Sequence, residues 1–354
     1  MPFFASHWIS LCLCVSVAGG NVLGVPLPEH QLIARIRRAA GKSRAVIAGV
    51  GDDAAILRPP AGHELLVTTD LSLEGVHFRR EWHPPESVGH RVLARGLSDI
   101  AAMGGEPIAA FLSLAVPAET PQKWMDGFLA GFTRLARRFR VPLAGGDTGE
   151  NPEGIVADIV VVGSVPRGKA LLRSGARAGD GIYVTGELGR AAAVLHRLEG
   201  GGFVVKADGR GRPSLPRAKD LAPHFFPEPR LQTGRRLRGL ASSAIDVSDG
   251  LSTDLAHICE ESGVAAVIHE HSIPRGVSFT GSSLHFALHG GEDYELLFTA
   301  PPRARVPARL GGVRVTRIGQ VLPPGRAKSP LLYLADSHGQ RKPLVPAGWQ
   351  HFGK

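Results

Sequence analysis

Hydrophobic and polar positions along the chain follow two periods, which together predict a mixture of helices and strands. The first amphipathic segment begins at Pro28, where Leu32, Ile33 and Ile36 share one helical face and Gly41 supplies a stop. Beyond it, apolar runs of strand length alternate with segments of helical period. Strands are predicted over 44–48, 65–69, 108–116, 155–165, 182–185 and 294–299, and helices over 87–103, 122–140, 190–198, 230–240 and 251–261. This succession predicts a mixed α/β (α+β) fold.

The length of the chain and its shifts in composition predict two domains. A chain of 354 residues is longer than one hydrophobic core usually supports. We expect an N-terminal extension over 1–28, a first domain over 29–166 and a second over 167–354. The segment 200–220, rich in glycine, proline and basic residues, predicts a mobile surface loop.

The N-terminal extension contains an apolar run over 7–19 that looks somewhat like a signal peptide. No Lys or Arg precedes this run, and it is too short to span a membrane. We therefore expect translation to begin near Val25, and a cytoplasmic protein with no membrane partner.

Charge and cysteine content narrow the possible partners. Lys and Arg number 41 against 32 Asp and Glu, a net charge of +9. This excess favours anionic ligands and suits a phosphorylated small molecule as well as nucleic acid, but aromatic and basic residues are not interleaved as in base-stacking surfaces. We expect no nucleic-acid partner. The three cysteines, Cys12, Cys14 and Cys259, form neither a disulfide framework nor a zinc motif.

Aspartates recur beside glycine, serine or threonine near predicted strand and helix ends. Each could be ordinary turn chemistry. Asp70 and Asp246, however, follow apolar runs and should project from the carboxyl ends of buried strands, where α/β ligand sites form. Asp99 falls in the last turn of a predicted helix, where the dipole costs a carboxylate roughly 0.3–1 kcal/mol unless a cation offsets it. The aspartates of this set are Asp52, Asp53, Asp70, Asp99, Asp147, Asp246, Asp249 and Asp293.

Hydroxyls accompany these carboxylates at Thr68, Thr69 and Ser248. Hard oxygen donors of this kind select Mg²⁺ over zinc or copper, and Mg²⁺ commonly joins carboxylates to substrate phosphates. Ser248 and Asp249 have a structural alternative, because both residue types are common helix N-caps.

The common nucleotide-binding motifs do not fit. The G-x-G-x-x-A pattern at 49–54 is followed by Pro59-Pro60, which leaves no room for a dinucleotide-binding helix, and the sequence has no P-loop. Bound phosphates would then need metal ions, arginine and other glycine-rich turns, for which 145–148, 173–175 and 186–189 are candidates; the last opens a helix and could offer N–H groups to an anion. Among the histidines His77 is singled out, because it follows Asp70 by seven residues in an apolar segment.

Eight motifs in order resemble the thiamine-monophosphate kinases, a family within the aminoimidazole-ribonucleotide synthetase-like ATP-binding proteins. They are GDDAAIL at 51–57, TTDLSLEGVHF at 68–78, LSDIAAMGGEP at 97–107, AGGDT at 144–148, RSGARAGD at 173–180, YVTGELG at 183–189, IDVSDGLSTDL at 245–255 and HGGEDYELLF at 289–298. The resemblance runs from about 29 to 352. It implies a two-domain PurM-like (AIR-synthase-like) fold, with an ATP- and metal-binding N-terminal domain built on a mixed sheet and a C-terminal α/β domain.

The resemblance also implies an activity, namely transfer of the γ-phosphoryl of ATP to thiamine monophosphate with several Mg²⁺ ions and no phospho-enzyme. By position it places the metals on Asp53, Thr68, Thr69, Asp70, Asp99, Asp147, Asp246 and Asp249. It places ATP on Gly146, Arg173 and Ser248, and the thiamine phosphate on His77, Glu292 and Trp349. It further implies a homodimer that pairs through the N-terminal sheet.

Two alternatives stay open. Sister enzymes of the superfamily use ATP on other acceptors, and a non-catalytic nucleotide-binding relative would lack one of the metal aspartates, all of which are present here. The chain departs from the family pattern in its extension and in the 200–220 insert.

Overall fold

The structure, a computed structural model, describes residues 27–200, 206–207, 213–214, 218–276, 283–325 and 329–352. The predicted extension over 1–28, except for its last two residues, lies outside the described residues, as does most of the 200–220 insert. No helix in the described part of the chain is both long and apolar enough to cross a membrane.

The N-terminal half is a four-stranded mixed sheet with helices on one face. Its elements in chain order are α1 (Glu29–Ala39), β1 (Val46–Ala48), β2 (Ile56–Leu57), β3 (His63–Leu73), α2 (Pro85–Ala102), β4 (Glu106–Val116), α3 (Gln122–Phe139), β5 (Leu143–Glu150) and β6 (Val156–Pro166). The strand order is β3-β6-β4-β5, in which only β4 and β5 run parallel. Strands β1 and β2 form a separate antiparallel pair.

The C-terminal half is built on a larger, mostly antiparallel sheet. Its elements are β7 (Gly181–Thr185), α4 (Arg190–Glu199), β8 (Lys206–Ala207), β9 (Pro213–Ser214), α5 (Ala218–Phe225), α6 (Leu231–Leu237), β10 (Ser243–Asp246), α7 (Leu251–Ser262), β11 (Ala265–His269), α8 (Ser283–His289), β12 (Leu296–Ala300), β13 (Arg309–Leu310), β14 (Val313–Leu322), β15 (Leu332–Ala335) and β16 (Arg341–Pro343). The sheet order is β10-β12-β7-β14-β11-β15-β16, with β13 beside β14.

Helix α2 lies between the two halves and is buried on nearly every side. Its close approach to α3 depends on Gly89, because a Cβ there would lie 1.9 Å from the Phe128 carbonyl oxygen. Leu97 and Ile100 share one apolar core with Leu237 of the C-terminal half, so both halves contribute to that core. Burying apolar area on both sides of one helix stabilises the pairing of the halves, and it fixes the residues of α2 relative to β10.

Every predicted strand and helix has a counterpart in the structure, but two details were wrong. The 145–148 segment, expected as a glycine-rich turn, lies inside the edge strand β5, because β4 pairs with it over its whole length. A Cβ at Gly146 would lie 1.8 Å from the Leu112 carbonyl oxygen, so glycine there serves strand pairing. Asp70 does not end its strand either, because β3 stays paired with β6 as far as Leu73.

Candidate active site

A cleft of about 590 Å³ opens between the two halves of the chain. Strand β3, helix α2 and the segment after β3 supply one wall. The opposite wall comes from α4, α5, the turn between β10 and α7, the 291–294 segment and the C-terminal tail. The predicted site residues that line it are His77, Asp70, Asp99, Arg173, Asp246, Ser248, Asp249, Glu292 and Trp349. Nine of the fourteen predicted site residues therefore meet in one cleft.

The surroundings of three cleft carboxylates, Asp70, Asp99 and Asp246, disfavour the charged form. Burial is the largest cause, and it raises the pKa of Asp70 to about 6, of Asp99 to about 7 and of Asp246 to about 6. The carboxylates also repel one another, since Asp99 raises the pKa of Asp70 and Asp246 raises that of Asp99. A bound cation would relieve the repulsion among these buried carboxylates.

Each of these carboxylates is held by a donor of the chain. Arg95 lies 3.2 Å from Asp70, Thr68 donates its hydroxyl proton to Asp99, and Ser98 donates to Asp246 at 2.6 Å. Within the described residues, no three His, Cys, Asp or Glu side chains converge on a single point that could hold a metal ion. The donor set nevertheless suits Mg²⁺, because it consists of hard carboxylate and hydroxyl oxygens beside a cleft with room for phosphate groups.

The turn between β10 and α7 presents Ser248 and Asp249 to the cleft without using their side chains as helix caps. The carboxylate of Asp254, in the first turn of α7, accepts the backbone N–H groups of Ser248, Asp249 and Gly250 at 3.0–3.2 Å. The alternative interpretation of Ser248 and Asp249 as helix N-caps is therefore not supported, because Asp254 satisfies this turn from inside the helix. Burial raises the pKa of Asp249, as it does for the other cleft carboxylates.

The glycine-rich turn at 186–189 binds a carboxyl group of the chain itself, that of Asp293. Asp293 accepts the N–H of Gly189 at 2.6 Å and that of Ala191 at 3.2 Å at the start of α4. Burial raises the pKa of this carboxyl to about 7 in spite of those bonds. The N-terminus of α4 is thus already occupied, so it does not serve as the phosphate site.

The predicted substrate residues lie in the same cleft. Glu292 is paired with the guanidinium of Arg91, a side chain of α2 that is only 5% exposed. His77 accepts the N–H of Leu73 on its Nδ1 at 3.0 Å, so its proton sits on Nε2. Burial, with Arg95 next, lowers the pKa of His77 to about 4, so this imidazole is neutral at pH 7. Trp349 packs edge-on against His351, whose ring also contacts that of His77.

Three predicted residues lie elsewhere, in a second pocket of about 330 Å³ beside the edge strand β5. Asp53, Gly146 and Asp147 line it, together with apolar residues of α1 and α3. Thr69 is exposed and alternates along β3 with Thr68 and Asp70, so it points to the opposite face of the sheet. The structure therefore separates these four residues from the cleft carboxylates, and their assignment to metal and ATP stays a prediction.

Sequence reasoning missed the cationic and histidine side chains of the cleft, chiefly Arg91, Arg95, His83, His224 and His351. A signal for the arginines was present. Arg91, Arg95 and Asp99 follow one another at intervals of four in an otherwise apolar helix, and this spacing places them on one face. His224 and His351 come from distant parts of the chain, and no local pattern marks them.

Two family models and many curated proteins match the chain. The AIR synthase related protein, N-terminal domain, matches residues 51–165, and the corresponding C-terminal domain matches 177–330. Thiamine-monophosphate kinase of Salmonella typhimurium is 38% identical over 83% of this chain and 90% of its own, and that of Escherichia coli K12 is 39% identical over the same shares.

Solved structures show the same relationship. The crystal structure of thiamine-monophosphate kinase from Stenotrophomonas maltophilia K279a superposes with a TM-score of 0.74 at 35% identity, covering 89% of this chain and 98% of that one. The structure of AaThiL complexed with AMPPCP and TMP gives 0.71 at 29% identity, covering 96% and 100%. The hydrogenase maturation protein HypE in complex with ATP, 17% identical with a TM-score of 0.71, shares the fold.

Proposed function

The chain belongs to the thiamine-monophosphate kinase family and phosphorylates thiamine monophosphate with ATP, and we propose that it does so by direct in-line transfer assisted by Mg²⁺. The observation that carries the proposal is the meeting, in one cleft, of a carboxylate cluster with the side chains expected to hold the acceptor. A cleft of about 590 Å³ is also of the size that ligand sites usually have.

Asp70, Asp99, Asp246 and Asp249 would hold the metal ions, with Thr68 beside them. Asp53, Asp147 and Thr69 are the further ligands that we propose from the family pattern. Bound Mg²⁺ would neutralise the charge of the phosphates between donor and acceptor. The raised pKa values of the cleft carboxylates support this assignment, because a cation favours the charged form that burial disfavours.

The remaining residues bind and orient the two substrates. Arg173 lies close enough to Asp99, Asp246 and Asp249 to lower the pKa of each, so it supplies positive charge beside the carboxylates, where phosphates would bind. Ser248 presents its hydroxyl from the turn that Asp254 holds rigid. We assign ATP to these two residues and to Gly146, and thiamine monophosphate to His77, Glu292 and Trp349.

No general base is required for this reaction. The acceptor is a phosphate monoester, which is already ionised at neutral pH, so positioning and charge neutralisation carry the catalysis. His77 fits a reaction without a general base, because neither of its ring nitrogens is free to take a proton. Its Nδ1 accepts the N–H of Leu73, and its Nε2 carries a proton that it can donate to the acceptor.

We also propose a cytoplasmic homodimer that pairs through the N-terminal sheet. Along the edge strand β3, Leu65, Val67 and Leu71 are 51%, 65% and 47% exposed. They share one face of the strand, and exposed apolar rows at a sheet edge mark surfaces that pair with another chain. Cys259 is a buried free thiol, as suits a reducing compartment.

The test is a side-by-side assay of the purified protein with ATP, Mg²⁺ and either thiamine monophosphate or free thiamine. A hydroxyl acceptor would need a positioned base, so free thiamine should react far more slowly. If free thiamine reaches kcat/KM within about tenfold of the monophosphate, a gap of only ~1.4 kcal/mol, the phosphate-bridging mechanism is wrong. Chelation of Mg²⁺ should abolish turnover, and full activity in its absence would remove the metal from the mechanism.

A further inference from the structure

A buried pair of histidines lies beside the carboxylate of Glu292, one of the residues assigned above to the acceptor. The Nε2 atoms of His83 and His224 are 3.0 Å apart, and the two residues are 2% and 1% exposed. The other ring nitrogen of His224, Nδ1, is buried, has no hydrogen-bond partner, and lies 3.6 Å from Oε2 of Glu292. The mechanism proposed above does not use either histidine.

The protons of this pair can be assigned from their neighbours. Burial, and next the charge of Arg91, lowers the pKa of His83 to about 4 and that of His224 well below its usual value, so both rings are neutral and carry one proton each. One Nε2 must therefore donate to the other. The backbone of Arg79 offers the His83 Nδ1 both an N–H at 3.2 Å and a carbonyl at 3.1 Å, so His83 can take either tautomer.

Glu292 decides between the two arrangements. If His224 donated from Nε2, its Nδ1 lone pair would face the carboxylate oxygen in a buried site, which is repulsive. If His83 donates instead, His224 carries its proton on Nδ1 and directs it at Oε2 of Glu292. Arg91 already binds the other carboxylate oxygen, so in the second arrangement each oxygen of Glu292 faces an N–H group, that of His224 across 3.6 Å.

The backbone also fixes Glu292. Its φ is +67°, in the left-handed region that non-glycine residues rarely adopt, and its N–H donates to the carbonyl of Ser248 at 2.8 Å. A residue held this way in an uncommon conformation is typical of functional positions. Its side chain is still 22% exposed, toward the cleft, so the carboxylate can accept one more hydrogen bond from a ligand.

Thiamine monophosphate consists of an aminopyrimidine, a thiazolium ring and a phosphate, and its one strong N–H donor is the exocyclic amino group. We propose that His224, as the Nδ1–H tautomer set by His83, is a positioning residue that holds Glu292 to accept a hydrogen bond from this amino group. The inference rests on the proposed function, and it names the part of the acceptor that Glu292 recognises.

The test compares His224→Phe, which keeps a ring without a donor, with His224→Asn, whose amide nitrogen takes the place of Nδ1. His338→Phe, at an exposed histidine in a turn, is the control. His224→Phe removes the N–H that faces the Glu292 carboxylate, so it should raise KM for thiamine monophosphate about tenfold or more. The kcat and the KM for ATP should change less than about twofold. His224→Asn should recover most of the lost affinity.

A second measurement uses the acceptor analogue in which a carbonyl oxygen replaces the amino group. The wild-type enzyme should bind this analogue at least about tenfold more weakly, since two acceptors would then face each other, and His224→Phe should discriminate less. Three results would overturn the proposal. The wild type could bind both acceptors equally, or His224→Phe could keep the wild-type KM for thiamine monophosphate. Both variants could also lose affinity for ATP and for the acceptor to the same extent. Absence of any turnover by the wild type would instead overturn the proposed function, and the inference with it.

Discussion

Ser98 on α2 donates its hydroxyl proton to the carboxylate of Asp246 on β10 across 2.6 Å, and both side chains are buried. The bond joins the N-terminal half to the C-terminal half at the point where the cleft carboxylates collect. Since Asp99 follows Ser98 directly, the same contact sets the distance between Asp99 and Asp246. Cleft geometry thus depends on how the two halves pack against α2.

The first prediction concerns the carboxylate cluster. Asp70→Asn and Asp99→Asn should each abolish phosphoryl transfer while leaving the fold intact, because each removes a proposed metal ligand. Without Mg²⁺ both variants should melt at higher temperature than the wild type, since buried carboxylates of like charge repel one another. Steady-state turnover and thermal unfolding measure the two effects.

Asp126→Asn is the matched control, because this carboxylate lies on the surface of α3, away from the cleft, where it pairs with Arg35 and accepts a hydrogen bond from Gln122. Its turnover should stay near the wild-type value. Near-normal turnover in both Asp70→Asn and Asp99→Asn would remove the metal cluster from the mechanism.

The second prediction concerns the buried pair of Arg91 and Glu292. Arg91→Met should cost about 3–5 kcal/mol in the free energy of unfolding, because it removes the cation that neutralises Glu292 and the donors to two backbone carbonyls. Adding Glu292→Gln should recover part of that loss. Arg138→Met is the control: its guanidinium is 60% exposed beside Glu228, so its loss should cost at most about 1 kcal/mol. Strict additivity of the Arg91 and Glu292 changes would contradict the pairing.

Much of the fold could be predicted from the sequence, because periodicity is a local property. The helices at Gln122–Phe139 and Leu251–Ser262 each present a regular apolar face, and both were placed within two residues. Strand β5 was missed because Gly145 and Gly146 disfavour a strand when taken alone. They lie in one here because β4 and β5 pair along their length, which is a tertiary effect.

The candidate site was predictable where its residues are part of a motif. Asp70, Asp99 and Asp246 each stand in a short motif, and the structure brings them into one cleft. His224 and Arg91 could not be assigned to the same site, since 133 positions separate them and only the packing of α5 against α2 joins them. Their hydrogen bonds depend on tertiary structure alone.

The third prediction is a pH dependence of stability. Burial raises the pKa of Asp293 from 3.8 to about 7, so its ionisation opposes folding. A carboxyl with a raised pKa destabilises the folded state as pH rises from its unfolded pKa to its folded one. Between pH 5 and pH 7 this group should remove roughly 2 kcal/mol, since the limiting slope of ~1.4 kcal/mol for each pH unit falls off as the folded-state carboxyl ionises near pH 7. Denaturant unfolding of wild type and Asp293→Asn at pH 5 and pH 8 should show the smaller loss in the variant; equal losses would contradict the buried titration.

The fourth prediction concerns assembly. Val67→Lys places a charge in the exposed apolar row of β3, and it should convert the proposed dimer to a monomer, because a buried interface does not accommodate an unpaired ammonium. Light scattering coupled to gel filtration measures the mass. Val345→Lys, at a position 72% exposed in the C-terminal tail, should leave the assembly unchanged. A dimer that survives Val67→Lys would move the interface elsewhere.

The fifth prediction concerns Gly348, which lets the C-terminal tail cross the start of α7. Its N–H donates to the Thr253 hydroxyl at 3.1 Å, and the next N–H, of Trp349, donates to the Asp249 carbonyl at 3.0 Å. A Cβ at 348 would lie 2.1 Å from that carbonyl oxygen, which no side chain tolerates. Gly348→Ala should therefore lift the tail and move Trp349 out of the cleft.

Displacement of Trp349 should raise KM for thiamine monophosphate by about tenfold, the effect of losing one well-packed aromatic contact, and should change the tryptophan fluorescence that responds to the acceptor. Stability should change little, because the tail is terminal and largely exposed. Gly200→Ala is the control, since its Cβ would meet no atom nearer than 3.5 Å. If Gly348→Ala keeps both the KM and the fluorescence response of the wild type, Trp349 does not bind the acceptor from this tail, and the acceptor must be held by His77 and Glu292 without it.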